Sequence, residues 1–220
     1  MTQFDHHDLV YVLQMDDGEN RMNRTWVDDV NRALDEVDAA ADPKALVTTG
    51  SGKFYSNGLD LEWLGAGVED FGAFAAEVER IFARLLGAPY PTVAACNGHT
   101  FAAGAMLAMS HDFSVMRADR GYFCLPEVDL KIPLTPGMNA LMTSRLPAVT
   151  AHEVLVTGRR FGGEEAAAKG IVTEVAAEDQ VLARAVEMAN ELAPKSGPTM
   201  GVIKQRMYAE AIDLLLNRLA

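Results

Sequence analysis

Residues 94–127 read AACNGHTFAAGAMLAMSHDFSVMRADRGYFCLPE. The stretch opens on an apolar strand, turns through small residues, starts a helix, and passes through two β-like runs to one acid, Glu127. Small residues let a backbone approach a ligand closely, and a helix N-terminus offers unpaired N–H groups to a developing negative charge. Glu127 follows Cys124-Leu125-Pro126, an apolar setting in which a carboxyl pKa rises. Oxyanion donors beside one tunable proton carrier suit chemistry next to a carbonyl.

Upstream, Ala88-Pro89-Tyr90-Pro91 forces extended backbone into the strand TVAACN, because residues before proline avoid the helical region. Phe71 to Gly87 has helical spacing, with Phe74, Val78, Ile81, Phe82 and Leu85 on one core-facing stripe. Leu9 to Met15 (LVYVLQM) reads as a strand and Asp16-Asp17-Gly18 as a turn, which together predict a first hairpin. Asn23 caps a helix in which Trp26, Val27, Val30, Ala33, Leu34 and Val37 share a face, and Asp42-Pro43 stops it. Ala45 to Thr49 is a short buried strand, and GSGKFYSNGLDLEWL follows it, with glycines at 50, 52 and 58. That segment fits neither the P-loop nor the dinucleotide-binding glycine spacing. Two β-α-β units thus bring two glycine-rich loops to the carboxyl ends of strands in one parallel sheet, where ligands gather.

Downstream of Glu127, Pro133 and Pro136 interrupt the chain before short helices at MNALMTSRL and AHEVLVTG. EEAAAKG predicts a helix closed by Gly170 and IVTEVA a short strand. An amphipathic helix spans Asp179 to Leu192, and a last one runs from Thr199 to Leu219. The pattern is one α/β core with a C-terminal helical arm.

At 220 residues, 49% hydrophobic and 23% charged, the chain has an ordinary globular balance. A formal charge of −12 excludes nucleic acid as a main partner, while a small anion needs only a local cationic pocket. Cys96 and Cys124 lie in apolar runs and read as buried thiols, and no Cys/His cluster has metal-ligand spacing. MTQFDHHDLV has neither the basic nor the apolar region of a secretory signal. No apolar run is long enough to span a bilayer, and the final Asn217-Arg218-Leu219-Ala220 is no obvious peroxisomal address. The expectation is a cytoplasmic protein without a membrane span.

Three motifs resemble those of the crotonase superfamily, the enoyl-CoA hydratase/isomerase fold. They are Tyr55-Ser56-Asn57-Gly58-Leu59-Asp60-Leu61, then Asn97-Gly98-His99-Thr100-Phe101-Ala102-Ala103-Gly104, then Pro126-Glu127, with Ala168-Lys169-Gly170-Ile171-Val172 as a later match. The resemblance covers roughly residues 9 to 208. It implies a repeated β-β-α core over residues 1–148 holding an acyl-CoA site, and a C-terminal helical region over 149–220 at an oligomer interface. A homotrimer or a dimer of trimers is the implied assembly. No cofactor is implied, since coenzyme A is part of the substrate.

Carried over by position, the resemblance makes the backbone N–H groups of Leu59 and Ala103 an oxyanion hole for a thioester oxygen. The Lys53 to Asn57 loop, which includes Tyr55, would line the adenine end of the coenzyme through backbone groups with Ser56 and Asn57, and the adjoining Gly58 and Asp60 belong to the same substrate site. Arg21, Arg24 and Lys53 are candidates for its phosphates. Family hydratases carry two glutamates; here Met106 stands at the first position and only Glu127 remains. Hydration needs a water activated between two carboxyl groups, and a thioether accepts no proton. Moving a double bond from C3 to C2 needs one base that takes a proton from C2 and returns it at C4. The run from Gly98 to Leu130 is moreover similar to plant-type Δ3,Δ2-enoyl-CoA isomerases. An enoyl-CoA isomerase of fatty acid β-oxidation is therefore the expected activity, with a hydratase or another crotonase-type acyl-CoA enzyme, or a non-catalytic acyl-CoA binder, as alternatives.

His99 and His111 read as structural, and Asp60 also reads as a helix cap. Asp129 would share a face with Glu127 if the segment were extended. Met106, Met109 and Met116 read as core or acyl-pocket lining.

Overall fold

The computed structural model describes residues 2–67 and 69–217. β1 (Gln3–His7) and β2 (Val10–Met15) form an antiparallel hairpin turned at Asp8, where φ is +53°. The hairpin therefore precedes Met15 instead of following it. QFDHH is a largely exposed edge strand, so it carries no apolar alternation that a sequence could display. Asp16 to Gly18 leads instead toward α1 (Arg24–Ala39), capped by Asn23, whose side chain accepts the Trp26 N–H at 3.1 Å. The six α1 residues read as one face are all buried.

β3 (Ala45–Gly50) lies parallel to β2, with Val10 opposite Ala45. Next come β4 (Phe54–Ser56), α2 (Leu61–Gly65), α3 (Phe71–Leu86), β5 (Thr92–Cys96), β6 (His99–Phe101) and α4 (Ala103–Met109). β7 (Phe113–Arg117), β8 (Phe123–Cys124) and α5 (Glu127–Leu130) follow. The C-terminal part comprises α6 (Pro136–Arg145), α7 (Ala148–Thr157), α8 (Gly163–Ala168), β9 (Glu174–Ala176), α9 (Val181–Leu192), α10 (Pro198–Met207) and α11 (Ala209–Leu216).

Two sheets result. The larger has the order β1-β2-β3-β5-β7-β9, parallel from β2 onward, and the smaller has the parallel order β4-β6-β8. β3, β5 and β7 are each followed by a short strand of the second sheet (β4, β6 and β8) and then by helix, which is the repeated β-β-α core. Alternate residues of the large sheet face opposite layers. Val10, Val12, Val47, Val93, Ala95 and Val115 pack against α9, while Leu13, Leu46, Ala94, Cys96 and Met116 face the main core with α1, α3 and α4. The C-terminal part therefore completes the sheet: β9 adds its last strand and α9 covers one face.

The expected last helix breaks at Tyr208 into α10 and α11, and positions 218–220 lie outside the described residues. A polar knot ties this end to the core. The buried Lys204 Nζ donates to Asp112 Oδ2 at 2.9 Å and to Tyr90 O at 3.2 Å. Arg145 donates to the carbonyls of Met109, His111 and Asp112. His111 Nδ1 meets Leu107 O at 2.8 Å and its Nε2 meets Thr48 Oγ1 at 3.0 Å; burial pushes its pKa down to about 4. Cys96 and Cys124 are buried free thiols, and burial pushes them up to about 12 and about 11. Among the described residues, no helix is long and apolar enough to cross a membrane, and no group of three His, Cys, Asp or Glu side chains could hold a metal.

Candidate active site

The two glycine-bearing loops meet. Gly58 has φ +80°, and a Cβ there would lie 2.9 Å from Ala102 Cβ and 3.0 Å from Ala103 N. Only glycine meets both the positive φ and the close approach. Gly104 is required by close approach alone: the first turn of α4 sits against the Ser56 backbone, where a Cβ would come within 2.4 Å of its oxygen. Between these contacts opens a cleft of about 360 Å³. Leu59, Ala103, Met106 and Glu127 all line it, so residues separated by up to 68 positions converge.

Leu59 pairs as an isolated bridge with Met22: Met22 N–H donates to Gly58 O at 2.8 Å and Asp60 N–H to Met22 O at 2.9 Å. By strand alternation the Leu59 N–H between them points away from Met22. Ala103 opens α4, so its N–H has no carbonyl one turn back. The residue before it, Ala102, holds φ +51°, ψ −127°, a strained conformation for a residue with a side chain. Among the described residues neither N–H donates a hydrogen bond, and both residues border one cavity.

Glu127 is the first residue of the short α5, where Pro126 ends the extended run from β8. Its Oε2 is buried and has no hydrogen-bond partner among the described residues. Burial raises its pKa to about 7, opposed by a hydrogen bond to its own backbone. Asp129 does not share its face, because the segment is helical and not extended; that carboxylate is exposed on the side of Gly158. Met106 follows Ala103 by three residues on α4 and is 1% exposed, placing a thioether where a second carboxyl group would have to stand.

The other candidates divide. Arg21 and Asn57 line the cleft, and both donate to Glu19 Oε2 at 2.8 Å. Lys53 is exposed on the neighbouring loop. Tyr55, Ser56 and Gly58 lie inside the fold: Tyr55 bonds Thr48 at 2.7 Å, and Ser56 Oγ donates to Asn20 O at 2.7 Å and accepts from Gly58 N. Asp60 caps α2, accepting the Trp63 N–H at 3.1 Å. Arg24 is engaged by Glu77 and Glu69 and stacks over Phe74. His99 lies among Phe54, Phe101 and Tyr122, and burial together with Arg160, Arg120 and Lys53 lowers its pKa.

The apolar walls include Leu61, Phe71, Ala75, Phe101, Leu134 and Met138. Sequence reasoning did not assign these to the site. Phe71 and Ala75 continue a helical stripe, which carries a signal for burial but none for which cavity it borders.

A family model described as Enoyl-CoA hydratase/isomerase matches residues 5–219. Enoyl-CoA delta isomerase 3 of Arabidopsis thaliana is 34% identical, over 97% of this chain and 95% of its own length. The peroxisomal enoyl-CoA delta isomerase 2 of the same plant is also 34% identical, over 94% and 92%. Among solved structures, a probable enoyl-CoA hydratase of Mycobacterium tuberculosis superposes with a TM-score of 0.91 at 30% identity, covering 97% of this chain and 91% of that one. An apo enoyl-CoA isomerase from that bacterium gives 0.90 at 29% identity, covering 97% and 93%.

Proposed function

The chain belongs to the enoyl-CoA hydratase/isomerase family, and on that premise we propose that it is an enoyl-CoA delta isomerase working with a single glutamate. Glu127, the one acid among the described residues lining the cleft, carries this assignment: its buried carboxyl oxygen lacks a partner, and a methionine lines the same cleft where hydration requires another acid. The thioester oxygen of a 3-enoyl-CoA sits between the Leu59 and Ala103 N–H groups. The Glu127 carboxylate takes a proton from C2, and the C–H electron pair spreads over the dienolate onto that oxygen. The same proton returns to C4, the carbonyl re-forms, and the double bond lies between C2 and C3. Atoms balance with no co-reactant.

A pKa near 7 suits both halves, since the group must be a base and then an acid within one turnover. Backbone donors set in place beforehand contribute roughly 3–4 kcal/mol each in comparable oxyanion holes. Arg21 and Asn57, at residues already lining the cleft, hold the coenzyme arm, with Lys53 offering charge to its phosphates. Arg24 would meet a phosphate only by leaving Glu69 and Glu77. No cofactor beyond the coenzyme A of the substrate is required.

β-Oxidation as the setting, a trimeric or doubled-trimer assembly through region 149–220, and a cytoplasmic location belong to the same proposal. Light scattering and a fluorescent fusion address the last two; the names of two Arabidopsis relatives place those proteins in the peroxisome. The activity is tested by offering the protein 3-hexenoyl-CoA and crotonyl-CoA in parallel. Double-bond transfer with little hydration is the expected result. Efficient hydration without transfer would refute it.

A further inference from the structure

We propose that Glu79, a buried acid outside the reacting centre, is a positioning residue that sets how long an acyl chain the cleft holds. The ligand class rests on the isomerase assignment; the shaping of its wall goes beyond it. Phe71, Ala75 and Glu79 succeed one another four residues apart on α3, so they share a face. The first two line the cleft. Glu79, third in the row, is 0% exposed, and its Oε1 accepts a hydrogen bond from the Thr135 hydroxyl.

Thr135 lines the cleft as well, and its oxygen accepts the Met138 N–H at 3.1 Å as the cap of α6. The direction of the bonds follows: a hydroxyl that receives an N–H has its one hydrogen left to give, and Glu79 receives it. The wall between Glu127 and α6 is tied at one end by Ile132 N–H to Glu127 O at 3.1 Å and at the other by Thr135 to Glu79. Pro133 in this stretch and Pro136 opening α6 have no N–H to donate, so the side-chain tie takes on more of the anchoring. Ile132, Pro133 and Leu134, all lining the cleft, span the gap.

Releasing the Glu79 tie frees the wall along the distal acyl chain and leaves the Glu127 end held. Calorimetric Kd values for hexanoyl-CoA and dodecanoyl-CoA, both unreactive, read this directly. Glu79→Ala is expected to weaken dodecanoyl-CoA about fivefold and hexanoyl-CoA less than about twofold. Its kcat on a short 3-enoyl-CoA stays native. Glu79→Gln, whose amide oxygen accepts the same bond, restores the native Kd ratio. If the alanine variant does not fold, Thr135→Val removes the hydroxyl from the other side and is expected to change the ratio in the same sense. An unchanged ratio in the folded variant, or equal loss in the alanine and glutamine variants, overturns the proposal. A native protein that isomerises normally while the ratio stays fixed leaves the isomerase assignment intact; one that binds neither thioester ends both.

Discussion

Two regions of this molecule bury ionisable groups, and they treat them in opposite ways. In the knot around Lys204, Asp112, Arg145 and His111, the side chains are supplied with partners, from the 2.9 Å bond between Lys204 and Asp112 to the carbonyls held by Arg145. In the cleft, whose lining includes the strained Ala102, Glu127 keeps a buried oxygen with none among the described residues, and the Leu59 and Ala103 N–H groups have no carbonyl among them either. Buried charge that is fully hydrogen-bonded fixes the fold, whereas the open Glu127 oxygen lines the cleft where a substrate can complete it; His99 Nδ1, likewise buried without a partner among the described residues, lies outside the cleft lining. The knot stabilises and the cleft reacts.

That contrast can be broken most sharply at Glu127. Glu127→Gln keeps shape and removes the proton shuttle, so kcat for isomerisation should fall by roughly 10²–10⁴ while acyl-CoA binding persists. Retained turnover would move the chemistry elsewhere. In the knot, Lys204→Met leaves Asp112 without its cation and should cost roughly 3 kcal/mol in chemical denaturation, with KM of the folded fraction unchanged. Gly58→Ala belongs to the cleft: strain at φ +80° and contact with Ala102 displace the Leu59 donor, and steady-state assays should show kcat lower by about 10² with little loss of stability beyond the strain.

The smallest effect joins the two regions. A carboxyl group whose folded pKa is raised favours the protonated form, so its contribution is fully present below the unfolded value of 4.5 and is lost as pH rises through about 7. The stability of Glu127→Gln relative to native should therefore grow by roughly 1–3 kcal/mol between pH 5 and pH 8 in denaturant titrations. A pH-independent difference would mean that Glu127 is not held uncharged by burial.

How much of this could be read from residues alone follows from the same physics. Helical faces such as Trp26 to Val37, the caps Asn23 and Asp60, and the parallel order of β2, β3 and β5 are written in local spacing. The short sheet is not. β4 and β6 have three residues each inside glycine-rich segments, too short for any alternation, and their pairing is a contact between Phe54 and His99 far apart in sequence. The edge strand β1 hides for another reason, since polar residues on an exposed ribbon resemble loop. Glu127 could be singled out because its apolar neighbours are adjacent in the chain. The walls contributed by Phe71, Thr135 and Met138 could not, because cavities are made by helix packing that no periodicity records.

One measurement bears directly on the claim that a single carboxylate in an open cleft does the chemistry. The pH dependence of kcat/KM for a 3-enoyl-CoA reports the free enzyme's essential base. With Glu127 as that base, kcat/KM rises about tenfold per pH unit on the acid side, bends near pH 7 and levels above it. A bend near the ordinary carboxylate value of 4.5, or a profile unchanged in Glu127→Gln, would contradict it.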